Sequence, residues 1–234
     1  MVDLIRELDA DTVRENLARV RGEIAAAGRD PAEVEILAAV KYLPVSALPA
    51  LAAGGVTTVG ENRAQELVAK SEALPGTFSW DFIGALQSRK VRDLVGRVRY
   101  IHSVASDSAL EQLARHGTER TEVMVEVNVA GDGGKSGIAP GELGAFLGRC
   151  PVRVVGLMTM PPSAEDPERS RPHFAQLRRL AAEHGLRHLS MGTSQDYLVA
   201  VQEGATIVRL GSTLYEPPLA RHNQGRESAP SREP

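Results

Sequence analysis

A chain of 234 residues with 42% hydrophobic and 24% charged residues has the composition of a soluble globular protein, and it is long enough for one large core. No apolar run approaches the roughly 20 residues that cross a bilayer, and a net charge of −3 with interspersed signs supplies no broad basic face, so neither a membrane nor a nucleic acid is an expected partner. The start, Met1-Val-Asp-Leu-Ile-Arg-Glu7, has neither the basic flank nor the apolar stretch of a secretory signal, and the expected location is cytoplasmic.

The first predicted element is a helix: Val13, Leu17, Val20 and Ile24 recur at helical spacing, Thr12 and Glu15 form a capping-box pattern, and Gly28 suits the stop. Eight short β-branched or aliphatic runs follow, at Glu35–Lys41, Val56–Gly60, Ser79–Gly84, Val98–His102, Glu122–Val129, Val152–Met158, Arg187–Ser190 and Thr206–Leu210. Helical patterns lie between them, for instance from Ser106 or Asp107 to Gly117 and from Glu168 to Glu183. Eight strands with eight followers predict an α/β fold, a single (β/α)8 TIM barrel over residues 1–220 with an extra N-terminal helix. An open doubly wound sheet is the rival architecture. Residues 221–234 are polar and nearly without apolar side chains, and they are expected to be a disordered tail.

In such a barrel, chemistry gathers at the C-terminal ends of the strands, where the loops converge. Lys41, one of only four lysines, follows Ile36-Leu-Ala-Ala-Val40 and is expected to have its stem in the core and its amine at the mouth. Two readings stand: a snorkelling strand-end lysine, or an amine made nucleophilic by desolvation and nearby positive charge. Gly60-Glu-Asn62-Arg follows the second run, with Glu61 read as an acid at a helix N-terminus. Asn128 lies near the end of the fifth run, and Met158-Thr159 ends the sixth. Ser190-Met191-Gly192-Thr-Ser194 and Arg209-Leu-Gly211-Ser212-Thr close the last two. Gly192, Ser194, Gly211 and Ser212 offer backbone N–H groups and hydroxyls where barrels often cradle phosphate, although ordinary turn chemistry uses the same residues. A lysine for an aldehyde beside a phosphate cradle fits pyridoxal 5′-phosphate (PLP). Gly131-Asp-Gly-Gly-Lys-Ser136-Gly lacks the Walker spacing and reads as a flexible mouth loop. His184 and His188 lack an accompanying Glu for zinc.

The segments Val59-Gly-Glu-Asn-Arg-Ala-Gln-Glu66, Trp80-Asp-Phe-Ile-Gly-Ala-Leu-Gln-Ser-Arg-Lys90, Lys135-Ser-Gly-Ile138, Gly156-Leu-Met158, Leu189-Ser-Met-Gly192 and Ser194-Gln-Asp-Tyr197 resemble, in order, signature stretches of the pyridoxal phosphate homeostasis proteins, the YggS/PROSC family. The resemblance implies an alanine-racemase-like barrel, PLP as a Schiff base on Lys41, Arg209 facing the pyridine nitrogen, and a carrying or buffering role without an established reaction. The implied cofactor-binding set is Lys41, Asn62, Ser190, Met191, Gly192, Ser194, Arg209, Gly211 and Ser212. Partners would be PLP itself and, by transient contact, PLP-dependent apoenzymes. The alternatives are a fold-type III amino-acid racemase, for which Tyr215 is the acid/base candidate ahead of Tyr42 and Tyr197, and a cofactor-free Schiff-base aldolase. The chain departs from the family in having Asp81 and Ala85 where histidine is frequent, and Glu216 close to the expected phosphate.

Overall fold

The computed structural model describes residues 7–134 and 136–216; Lys135 and the tail expected over 221–234 lie outside the described residues. Eight strands pair in parallel, each with the next and the last with the first, into a closed barrel. They are β1 Glu35–Ala39, β2 Thr58–Glu61, β3 Ser79–Phe82, β4 Tyr100–Val104, β5 Glu122–Glu126, β6 Arg153–Met158, β7 His188–Thr193 and β8 Ile207–Leu210. The described helices are α1 Ala10–Ala26, α2 Leu48–Ala53, α3 Ala64–Ala73, α4 Val91–Leu94, α5 Asp107–His116, α6 Leu143–Leu147, α7 Arg171–Glu183, α8 Tyr197–Gln202 and α9 Ser212–Tyr215. The closed topology excludes the open doubly wound sheet.

Each strand alternates its side chains between the barrel axis and the helical layer. Leu37, Met124, Val155, Met158 and Ile207 fill the axis. Val59, Trp80, Phe82, Ile101, Val123, Leu157, Leu189, Met191, Val208 and Leu210 join helix residues such as Leu67, Leu113 and Phe174 in the outer core. Where strands pack most closely, glycine is required. A Cβ on Gly156 would lie 2.2 Å from the His188 carbonyl oxygen of the neighbouring strand. Gly156→Ala is therefore expected to cost about 1–3 kcal/mol through overpacking, read as a lower urea midpoint at unchanged slope.

The first helix begins earlier than the Thr12–Glu15 pattern suggests. Asp9 is its N-cap and accepts the Thr12 N–H, so Thr12 lies inside the first turn. Gly28, at φ 84°, takes the left-handed turn that ends it. On its inner side Asn16, 1% exposed, donates through Nδ2 to the carbonyls of Leu214 and Glu216, and Arg19 donates to that of Thr213. This helix clamps the segment that follows β8. Helix α5 has the Ser106 cap and Gly117 stop expected of it, whereas α7 starts at Arg171, after a 3-10 turn over Pro167–Ser170.

Candidate functional site

At the C-terminal ends of the strands lies a cavity of about 760 Å³. Lys41, Asn62, Gly192, Ser194, Arg209, Gly211, Ser212 and Tyr215 line it, as do Glu126, Ser136 and Met160. Lys41 arrives there by a route the apolar run did not indicate. Strand β1 ends at Ala39, and the Leu43 N–H closes a turn on the Val40 carbonyl at 3.1 Å, lifting Lys41 and Tyr42 out of the core. Lys41 is therefore exposed rather than walled in, with Nζ 4.7 Å from the Tyr42 ring centroid.

The Val40 carbonyl also accepts Lys70 Nζ at 2.9 Å, and that ammonium lies 2.5 Å from Glu61 Oε2. Both side chains are buried, at 2% and 0% exposure. The other Glu61 oxygen accepts the N–H groups of Asn62 and Arg63 at the entrance to α3. Glu61 thus supports a helix start, as expected, and is also half of a buried ion pair absent from the sequence reading. Lys70 shares the buried face of α3 with Ala64 and Leu67, and a cation at an apolar spacing is the signal that marks it.

The loops after β7 and β8 meet at one side of the cavity. Gly192 has φ 91°, and a Cβ there would stand 2.6 Å from that of Ala200, so only glycine lets this loop lie against α8. Ser194 Oγ accepts the Gly211 N–H at 3.3 Å and the Thr213 N–H at 3.5 Å. Asp196 accepts from the Thr193 N–H and from the Ser170 hydroxyl, which fixes the loop from behind. Asn62 Oδ1 is buried without a hydrogen-bond partner among the described residues. A ligand that brings a donor would relieve that cost.

Two members of the expected set lie off the cavity. Ser190 is fully buried on the axis side of β7, below the mouth, with Oγ 2.8 Å from His102 Nδ1. Met191 is also fully buried but faces the outer core, because it is one residue out of phase with Ser190. Among the tyrosines, Tyr197 donates to Glu23 of α1, away from the cavity, while Tyr42 and Tyr215 line it. The Tyr215 hydroxyl donates to the Ala39 carbonyl at 3.0 Å. Burial, helped by the Glu61 charge, pushes its pKa well above that of an ordinary phenol. Glu216 stands exposed at the rim.

Arg209 is buried at 6% exposure and lines the cavity floor. Its Nη1 donates to the Ser190 carbonyl and hydroxyl at 2.7 and 2.6 Å, and its Nη2 to the Thr159 carbonyl at 3.0 Å and to Met160 Sδ. Burial lowers its pKa to about 10, against the pull of Asp196 and Glu126, so it is still a cation at neutral pH. Glu126, accepting from Ser136 Oγ at 2.8 Å, has its carboxyl pushed up by burial.

Behind Arg209 lie Asp81 and His102, both with no exposed surface. Asp81 accepts from His102 Nε2 at 3.0 Å and from Arg99 at 3.1 and 2.6 Å. Burial alone would raise the Asp81 pKa, but the His102 and Arg99 contacts outweigh it and hold the carboxyl below its ordinary 3.8. A depressed folded-state pKa stabilises the protein above the unfolded value and is lost as pH falls through the folded one. Stability is therefore expected to decline from about pH 4 downward, and Asp81→Asn should flatten that acid limb while lowering stability at neutral pH, as urea titrations across pH would show.

The sequence profile of the alanine racemase N-terminal domain matches residues 8–217. The pyridoxal phosphate homeostasis protein of Aquifex aeolicus is 39% identical over 213 residues, covering 85% of this chain and 93% of that protein. PipY of Synechococcus elongatus, in a structure with PLP bound, is 32% identical with a TM-score of 0.74, covering 87% of this chain and 99% of that one. Alanine racemase from Corynebacterium glutamicum, 19% identical with a TM-score of 0.69, shares the fold over 92% of this chain and 63% of its own. With the profile spanning nearly all the described residues and relatives above 30% identity over most of its length, the chain belongs to the alanine racemase N-terminal domain family and, within it, to the pyridoxal phosphate homeostasis proteins.

Proposed function

We propose that this chain binds pyridoxal 5′-phosphate as a Schiff base on Lys41 and serves PLP homeostasis in the cytoplasm, holding the cofactor and yielding it to apoenzymes through transient contacts. We take residues 1–220 as the unit that does so. The observation that carries the reading is the convergence of an accessible amine, Lys41, and a buried guanidinium, Arg209, on one cavity walled by the loops after β7 and β8. Relatives named for PLP homeostasis, and the PLP-bound PipY structure, support it.

When bound, the cofactor supplies an aldehyde conjugated to an electron-withdrawing ring. The Lys41 amine would join the aldehyde carbon with loss of water. Gly192, Ser194, Gly211 and Ser212 would hold the phosphate through backbone N–H groups and hydroxyls. Arg209 would meet the ring nitrogen as a cation and so disfavour its protonation, which limits the ring as an electron sink and suits storage. Tyr215 is the residue to examine for proton transfer, and its tightly held proton and bond to Ala39 weigh against that role.

The test is the visible spectrum after incubation with PLP, followed by borohydride reduction and peptide mapping. A Schiff-base band with the reduced adduct on Lys41 is expected. Absence of the band, or an adduct on another residue, would overturn the reading.

A further inference from the structure

The inner surface of a (β/α)8 barrel is ordinarily packed with aliphatic layers, yet here a polar chain crosses it. Arg99, at the open lower end, pairs with Glu35 and with Asp81. Asp81 meets His102, His102 meets Ser190, and Ser190 meets Arg209 at the cavity. Five strands contribute, since Glu35, Asp81, His102, Ser190 and Arg209 come from β1, β3, β4, β7 and β8. Each of the four residues from Asp81 to Arg209 is no more than 6% exposed.

Hydrogen-bond chemistry gives the chain one direction. An ionised Asp81 only accepts, so His102 Nε2 carries the hydrogen between them. Arg209 only donates, so Ser190 Oγ is its acceptor. The serine hydrogen then points to His102 Nδ1, which accepts it as a neutral ring. A doubly protonated His102 would aim a second donor at Ser190, strand the hydroxyl hydrogen and place two buried cations on one serine. The order of donation is thus Arg209 to Ser190 to His102 to Asp81.

This arrangement decides how the guanidinium is presented. Arg209 has no carboxylate within ion-pair distance among the described residues. Ser190, Thr159 and Met160 take the four Nη hydrogens, and among the described residues only the Nε–H is left without an acceptor.

We infer that Asp81, His102 and Ser190 are positioning residues for Arg209, locking its Nη edge so that the Nε–H alone is offered to a ligand acceptor in the cavity. The inference rests on the PLP reading for the identity of that ligand, but the lock itself is a property of the apoprotein.

Both levels are measurable. In the apoprotein at neutral pH, nitrogen NMR is expected to show His102 as a neutral ring protonated at Nε2, with one sharp Arg209 Nε–H resonance that Ser190→Ala broadens or shifts. Ser190→Ala removes only a hydroxyl and changes no charge, and Ser190→Thr, which restores one, should return the resonance. In the PLP complex, Ser190→Ala and Asp81→Asn are expected to weaken PLP binding about tenfold, the scale of one charged hydrogen bond, with the adduct still on Lys41. Recovery in Ser190→Thr would separate positioning from general damage. A doubly protonated His102, an Arg209 resonance indifferent to Ser190→Ala, or unchanged PLP affinity in both variants would overturn the inference. A wild-type protein that takes no PLP would overturn the function reading instead, leaving the Arg209 resonance to decide the lock.

Discussion

Lys41→Ala is expected to abolish the visible Schiff-base band with PLP and the borohydride-stable adduct completely, while leaving the protein folded. No other described lysine can substitute. Lys70 is buried with its ammonium 2.5 Å from Glu61 and a second bond to the Val40 carbonyl. Lys90 lies 3.5 Å from Asp93 at the head of α4, away from the cavity lining. Lys41 is exposed on a turn beyond β1, so its side chain supports little packing and its removal should leave the melting temperature within about 2 °C, the scale of a surface change. The phosphate-side loops and Arg209 are untouched by the substitution, so weak non-covalent PLP binding should persist and be visible by calorimetry. A band of wild-type intensity in Lys41→Ala would place the chemistry elsewhere.

The largest expected effect on stability is at the Glu61–Lys70 pair. Breaking a buried ion pair by removing one partner leaves an uncompensated charge and costs about 3–5 kcal/mol. Glu61→Gln keeps an oxygen for the Asn62 and Arg63 N–H groups but strips Lys70 of its counter-charge. Lys70→Met strips Glu61 and also frees the Val40 carbonyl that anchors the turn presenting Lys41. Each single variant is therefore expected to lower the melting temperature by about 6–20 °C, at 2–4 °C per kcal/mol for a protein of this size. The double variant Glu61→Gln/Lys70→Met, which buries no net charge, should recover most of the loss, giving a large coupling in a double-mutant cycle by urea unfolding. Single variants that cost less than about 1 kcal/mol, the range of an exposed pair, would show that the charges are solvated.

Much of the fold is legible in the amino-acid sequence. Eight apolar runs separated by helical patterns, punctuated by Ser106, Gly117 and Gly28, correspond one for one to the eight strands and to the ends of α1 and α5. Hydrophobic burial dominates there, and its period in the sequence is the period of the element. The boundaries were less legible. The apolar run predicts β1 as far as Lys41, whereas a turn over Lys41–Tyr42 ends the strand at Ala39, because continuation of an apolar run does not reveal where a backbone carbonyl will be claimed by Leu43 and Lys70.

The site divides along the same line. Lys41, Gly192, Ser194, Arg209, Gly211 and Ser212 are legible as residues that line one cavity because strand ends of a barrel share one mouth. Ser190 and Met191, their immediate neighbours, were not separable from them in sequence: a two-residue period sends Ser190 to the axis and Met191 to the outer core, and the phase of that alternation is set by the barrel. Asp81, His102, Glu126 and Lys70 are charged or polar residues inside otherwise apolar runs, a visible oddity whose resolution lies in residues far off in the chain. Sequence by itself determined the element order, the barrel class, the family and the candidate lysine, all of which follow from local periodicity and short motifs. Only the tertiary structure decided which buried charges meet, Glu61 with Lys70 and Asp81 with Arg209 through His102 and Ser190, because burial of a charge is tolerable only where closure of the barrel brings its partner within hydrogen-bond distance.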